Sequence, residues 1–139
     1  MRPSRNDVLM EIAAVIARRS TCSRLAVGCV FALDGRILVT GYNGAPSSLP
    51  HCQHESDEPC TTAEHAERNA IAFAARHGVQ LEGSTLYVTH SPCLPCAMAI
   101  VNCGVREVIY GIAYRLTDGI ELLSQAGIQS TLWNWVDSI

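Results

Sequence analysis

Two short segments, His65-Ala66-Glu67 and Pro92-Cys93-Leu94-Pro95-Cys96, constrain this chain more than anything else in it. One histidine and two cysteines are good zinc ligands, and a carboxylate two residues from the histidine is a ready proton carrier. They form a site only if the fold brings together stretches that lie far apart in sequence. The rest of the chain is read here as the frame that does so.

Ala66, Ala70, Ile71 and Ala74 recur with helical period, which predicts a helix from Thr62 or Ala63 to about Gly78, with His65 in its first turn. A second helix is expected to start after Pro92, carry Cys93 and Cys96 in its first turn and stop at Gly104. Residues three apart share a helix face, so both sulfurs can meet one ion. The free N–H groups and positive dipole end of each helix favour ionised thiolates. Three protein ligands leave the fourth tetrahedral position to water, whose pKa zinc lowers to about 7. Glu67 is placed to move that water's proton. The alternative is a structural zinc knuckle closed by a further Cys or His, a site with no use for Glu67. The chemistry that fits is hydrolytic attack on an amidine-like carbon with loss of ammonia.

Elsewhere the pattern gives a first helix from an Asn6 cap to about Arg19, with Leu9, Ile12, Ala13 and Ile16 on its apolar face. A hairpin follows, Ala26 to Leu33 and Ile37 to Thr40 about Asp34-Gly35. Strands are expected at Thr85–Thr89, Val105–Ile112 and Gln129–Leu132, with a short helix from Asp118 to Ala126. A hairpin followed by alternating helices and strands predicts an α/β fold, a three-layer α/β/α sandwich around a five-stranded mixed sheet. Between Ser47 and Thr62 no period is visible, yet the stretch holds His51, Cys52, His54 and Cys60. A loop that long is usually functional or pinned. Cys29 and Cys103 fall in strand and helix patterns and read as core residues.

At 139 residues and 48% hydrophobic content, one domain over 1–139 with a packed core is expected. No apolar stretch approaches the roughly 20 residues of a membrane span. Asp7 and Glu11 interrupt any secretory leader, so a cytoplasmic protein without membrane contact is expected. The seven cysteines are then reduced, bound to metal or simply buried. A net charge of −3 lacks the basic excess that nucleic acid demands, whereas a few local arginines suffice for a small anionic substrate.

The H-x-E and P-C-x-x-C pair is the signature of zinc nucleobase deaminases. Over nearly its whole length the chain resembles the cytidine deaminase superfamily, and within it the deoxycytidylate deaminases. The narrower likeness lies in Arg19 to Arg24 with Val27-Gly28, in Gly41-Tyr42-Asn43-Gly44-Ala45-Pro46, and in His65 to Ile71. The related tRNA adenosine deaminases lack the first of these and the Cys/His loop.

The resemblance implies that His65, Cys93 and Cys96 bind zinc and that Glu67 shuttles protons. It gives the Ala66 N–H to the base carbonyl, Asn43 to the sugar, and the Ser91 carbonyl to the departing amine. Arg24 is assigned to a 5′-phosphate and Tyr114 to the pocket mouth. Asn43 also reads as a turn residue, Arg24 as a solvated charge and Tyr114 as a packed aromatic. A second, structural zinc on Cys22, Cys52, His54 and Cys60 is implied as well, with His51 competing for the place of His54. So are conversion of dCMP to dUMP, a homohexamer, activation by dCTP and inhibition by dTTP. The effector site would include Gly44 and Arg76, and Mg2+ would accompany the nucleotide effectors. Rival readings are deamination of cytidine, guanine or tRNA adenosine, and a catalytically silent nucleotide-binding relative.

Overall fold

The computed structural model describes residues 1–54 and 57–134. Its elements run α1 (Arg5–Ala17), β1 (Gly28–Leu33), β2 (Arg36–Tyr42), α2 (Ala66–His77), β3 (Thr85–His90), α3 (Leu94–Asn102), β4 (Glu107–Ile112), α4 (Asp118–Gln125) and β5 (Gln129–Leu132). The five strands form one sheet in the order β2-β1-β3-β4-β5. β1 is antiparallel to both β2 and β3, while β3, β4 and β5 run parallel, so the sheet is mixed as expected.

The hairpin forms because Asp34 and Gly35 both take positive φ, 51° and 79°, the backbone of a two-residue turn that matches strand twist. Apolar residues then alternate across the sheet. Cys29, Phe31, Leu86, Val88 and Val108 face one layer, where α2, α3 and α4 contribute Ala70, Ala74, Ala97, Ile100 and Leu123. Val30, Ala32, Tyr87 and Ile109 face the other layer and meet Leu9, Met10 and Ala13 of α1. Each large side chain fully buried in this way is worth about 1.5–3 kcal/mol. The sandwich therefore has three helices on one face and α1 on the other. Cys29 is a core residue, and Cys103 caps α3 and packs beside the same core.

Boundaries shift from the sequence reading where caps decide them. Ser4, not Asn6, caps α1 by accepting from the Asp7 N–H at 3.1 Å. Asn6 instead accepts from the Tyr87 hydroxyl at 2.8 Å, tying α1 to the sheet. α2 begins at Ala66 rather than Thr62 because the preceding chain pairs with Gly44. No helix among the described residues is long and apolar enough to cross a membrane.

Parallel strands place the carboxyl ends of β3 and β4 side by side, and in open α/β sheets that edge is where ligands bind. α2 is pressed onto β2 at Gly41, where any Cβ would run into the Ala66 carbonyl oxygen and lie 2.9 Å from the Ala70 methyl. That close approach brings the start of α2 to the same edge.

Candidate active site and metal centres

His65 is the N-cap of α2, in extended conformation, and its imidazole makes no cap bond. Its backbone is held instead: the N–H donates to Glu64 Oε1 at 2.9 Å, and Arg68 donates to the same oxygen at 2.6 Å. Glu64 in turn exchanges two backbone bonds with Gly44, at 3.1 and 2.8 Å, which closes the base of the long loop. Cys93 is likewise the N-cap of α3, and Cys96 lies in its first turn. Both ligand segments are thus helix starts, but His65 and Cys93 sit one step outside the helices expected to contain them.

His65 Nδ1 lies 3.3 Å from Cys93 Sγ and 3.4 Å from Cys96 Sγ. Tetrahedral zinc with its usual N and S bond lengths sets such donors about 3.5 Å apart, so the trio fits zinc as it stands. The three groups also act on one another electrostatically. The Cys96 thiol donates to Cys93 and brings that thiol down to about 4, while the same bond and burial push Cys96 far up. The hydrogen bond with Cys93 raises His65.

Glu67, two residues on, is only 4% exposed and is not one of the clustered ligands. Burial lifts its carboxyl to about 7. A buried acid poised there next to a metal site suits proton transfer at neutral pH.

His65, Glu67 and Cys93 open onto a cleft of about 380 Å³, with Cys96 buried behind them. His65, Ala66, Glu67, Ser91 and Cys93 line it together with Asn43, Arg24 and Tyr114, so the structure gathers every expected substrate residue around one cavity. Ala66, first in its helix, has no earlier turn to receive its N–H. Asn43 is largely committed: Oδ1 accepts the Val27 N–H at 2.8 Å and Nδ2 donates to the Leu25 carbonyl at 2.7 Å. It clamps the cleft wall and keeps one N–H to spare. Ser91 is buried, with Oγ accepting the Tyr114 N–H at 2.8 Å. Arg24 donates through Nε to the Asp57 carbonyl at 3.2 Å. Burial pushes the Tyr114 phenol up to about 12, and the Glu67 charge adds to it.

Gly44 and Arg76 do not line the cleft. Gly44 is boxed in by the Thr21 side chain, and Arg76 sits exposed in the last turn of α2. Sequence reasoning missed His90 and Arg115, which also line the cleft. A lone histidine before Ser-Pro-Cys and an arginine after a strand carry no spacing signal.

Cys22, Cys52, His54 and Cys60 form a second group, with all ligand atoms within 4.8 Å of one another. Cys22 Sγ and His54 Nε2 are 3.4 Å apart. His54, not His51, lies in this group. Four converging donors match in number and type the closed set of a structural zinc. Burial opposes ionisation of Cys60, but hydrogen bonds from Thr62 and the Ala63 N–H prevail and bring it down to about 6. Among the described residues these two groups alone bring together three or more ligating side chains, and nothing supports the expected Mg2+.

Residues 3–112 match the model of the cytidine and deoxycytidylate deaminase zinc-binding region. The chain belongs to the cytidine and deoxycytidylate deaminase family. Among the deaminase-like relatives, deoxycytidylate deaminase of Saccharomyces cerevisiae is 37% identical over 139 residues, covering 92% of this chain and 44% of that longer protein. ComE operon protein 2 of Bacillus subtilis is 38% identical over 132 residues, covering 91% of this chain and 70% of the other. The crystal structure of dCMP deaminase from the cyanophage S-TIM5, with dCMP and dUMP, superposes with a TM-score of 0.87 at 36% identity, over 95% of this chain and 99% of that one. The family's description as zinc-binding agrees with the donor set around His65.

Proposed function

We propose that the protein, as one deaminase domain, hydrolyses dCMP to dUMP and ammonia. The observation that carries this reading is the buried Glu67 carboxyl beside His65, Cys93 and Cys96 at the floor of a cleft whose wall holds Arg24 and Arg115. Its likeness to a deaminase that binds dCMP and dUMP supports the same substrate. Zinc on His65, Cys93 and Cys96 would supply the acidity that makes water a nucleophile at neutral pH. Glu67 takes the proton of the water that attacks C4 of cytosine and passes it to the neighbouring ring nitrogen. It then takes the second proton, from the hydroxyl now on C4, and delivers it to the amino group, so that the C–N bond breaks, ammonia leaves and C4 becomes the carbonyl of dUMP. The Ala66 N–H holds the base carbonyl, the Ser91 carbonyl accepts from the amine, and the spare N–H of Asn43 meets the sugar. Arg24 and the hydroxyl of Tyr114 bind the phosphate end.

Cys22, Cys52, His54 and Cys60 hold a structural zinc in this reading, which explains how so irregular a loop keeps its shape. Control by dCTP and dTTP between the subunits of a homohexamer belongs to it too. Gly44 and Arg76 lie outside the cleft, as an effector site separate from the substrate requires. The test is ultraviolet absorbance during incubation with dCMP, cytidine, dCTP and adenosine. Turnover of dCMP above the others is the expected result, and preference for cytidine or adenosine would overturn the assignment.

A further inference from the structure

His90 ends β3 and its ring stacks on Tyr114, with centroids 5.4 Å apart and planes 29° from parallel. Its protonation is fixed from behind. Thr89 is 5% exposed, and its hydroxyl oxygen accepts the Gly28 N–H at 3.2 Å. That oxygen is also 2.8 Å from His90 Nδ1. Apart from Nδ1, the Thr89 hydroxyl has no acceptor among the described residues. A hydroxyl left without one in the interior costs about 1–3 kcal/mol, so Thr89 donates to Nδ1. Nδ1 is then the acceptor, and the ring proton is on Nε2. Burial lowers the His90 pKa, which agrees with a neutral ring.

The Nε2–H is therefore a donor on the cleft wall with no protein partner among the described residues. Positive charge for an anion is at hand. Tyr114 lies against it, Arg115 follows Tyr114, and Arg24 is near enough to influence the Tyr114 phenol, though less than Glu67 does. Of the two acids lining the cleft, Asp118 directs Oδ1 to the Gly119 N–H at 3.0 Å and Glu67 is buried beside the ligand trio. Ser91 Oγ holds the Tyr114 backbone, so consecutive residues of one strand end fix both the ring and the main chain of that tyrosine.

We infer that His90, locked as its Nε2–H tautomer by Thr89, donates to the phosphate of a bound nucleoside monophosphate and so sets the preference for nucleotide over nucleoside. This rests on the reading of the cleft as a nucleotide site. Asn43 and Ala66 already serve sugar and base, leaving phosphate oxygens to be shared among Arg24, Tyr114 and His90. Arg24 gives one of its N–H groups to Asp57, so a further donor has a place there.

The experiment compares kcat/KM for dCMP and deoxycytidine in the zinc-loaded wild type, His90→Phe and His90→Gln. Phenylalanine keeps the stack on Tyr114 and removes the donor; glutamine restores an N–H near the Nε2 position. For dCMP, His90→Phe should lose about tenfold or more in kcat/KM, mostly through KM, with deoxycytidine changed less than about twofold. His90→Gln should recover part of the loss. Equal losses on both substrates, or no loss on dCMP, overturn the inference. If His90→Phe fails to fold, judged by its melting and zinc content, His90→Gln decides: parallel effects on the two substrates overturn the inference. A wild type that does not favour dCMP overturns the nucleotide reading and this inference together, whereas a preference that His90→Phe leaves undiminished overturns this inference alone.

Discussion

The indole N–H of Trp133 donates to Asp7 Oδ1 at 2.8 Å, joining residues 126 positions apart. Trp133 follows β5 and packs beside the α1 layer, so this bond fastens the last part of the described chain to the first helix. The Ser4 hydroxyl also donates to Asp7, at 2.7 Å.

Both donors favour the ionised carboxyl, Ser4 the more, and the Asp7 pKa falls below the ordinary 3.8. As pH drops, the unfolded chain takes up this proton before the folded one does. The stabilisation is therefore complete above about pH 4 and is lost as pH falls through the folded-state pKa. Ser4→Ala and Trp133→Phe should each move the Asp7 carboxyl titration, followed by NMR, up toward its free value. The melting-temperature deficit of each variant should be larger at neutral pH than at about pH 3, and a constant deficit would show that Asp7 is not involved.

Glu67→Gln should lose about 10²–10⁴-fold in kcat on dCMP, the usual contribution of a positioned acid–base group. The carboxyl is not among the ligands around His65, so zinc content should not change. Elemental analysis beside the kinetics separates the two effects. Near-normal turnover with full zinc would remove Glu67 from proton transfer.

How much of this was legible in the sequence depends on how local each determinant is. His65, Glu67, Cys93 and Cys96 could be read directly because metal ligands within a segment obey fixed spacings. The α1 cap could not, since Ser4 and Asn6 are both good caps and only the Tyr87 hydroxyl, in β3, claims Asn6. The same holds for the proximity of His54, not His51, to Cys22 at 3.4 Å, which follows from where Cys22 ends up. Asn43 looked like a ligand for sugar, yet its two backbone bonds to 25–27 show that most of its hydrogen bonding shapes the wall. His90 was invisible because its meaning comes from Thr89 behind it and Tyr114 beside it.

Cys52→Ser should reduce bound zinc from roughly two per chain to one, since a closed site rarely survives loss of a ligand. The catalytic group shares no residue with this one, so the remaining ion should stay. Cys22 and Cys60 also line the cleft, and Arg24 reaches Asp57 of the same loop. KM for dCMP should therefore rise while kcat changes little. A wild type with a single zinc would sink the second site.

Gly119 tests how the fold holds the catalytic ligands. It lies near the start of α4, and a Cβ there would collide with the Pro92 carbonyl oxygen and come within 2.9 Å of the Cys93 carbonyl carbon. Those are backbone atoms next to a ligand, so they cannot swing aside as a side chain tip would. Gly119→Ala must push α4 or the Pro92-Cys93 segment outward. Small displacements of ligand supports commonly cost about 10–100-fold in metal affinity. Competition against a chelator of known affinity should reveal a loss of that order for one zinc, with any ion proposed for Cys22, Cys52, His54 and Cys60 unaffected. An unchanged affinity would mean that α4 yields instead, and that the Cys93 position is set by α3 alone.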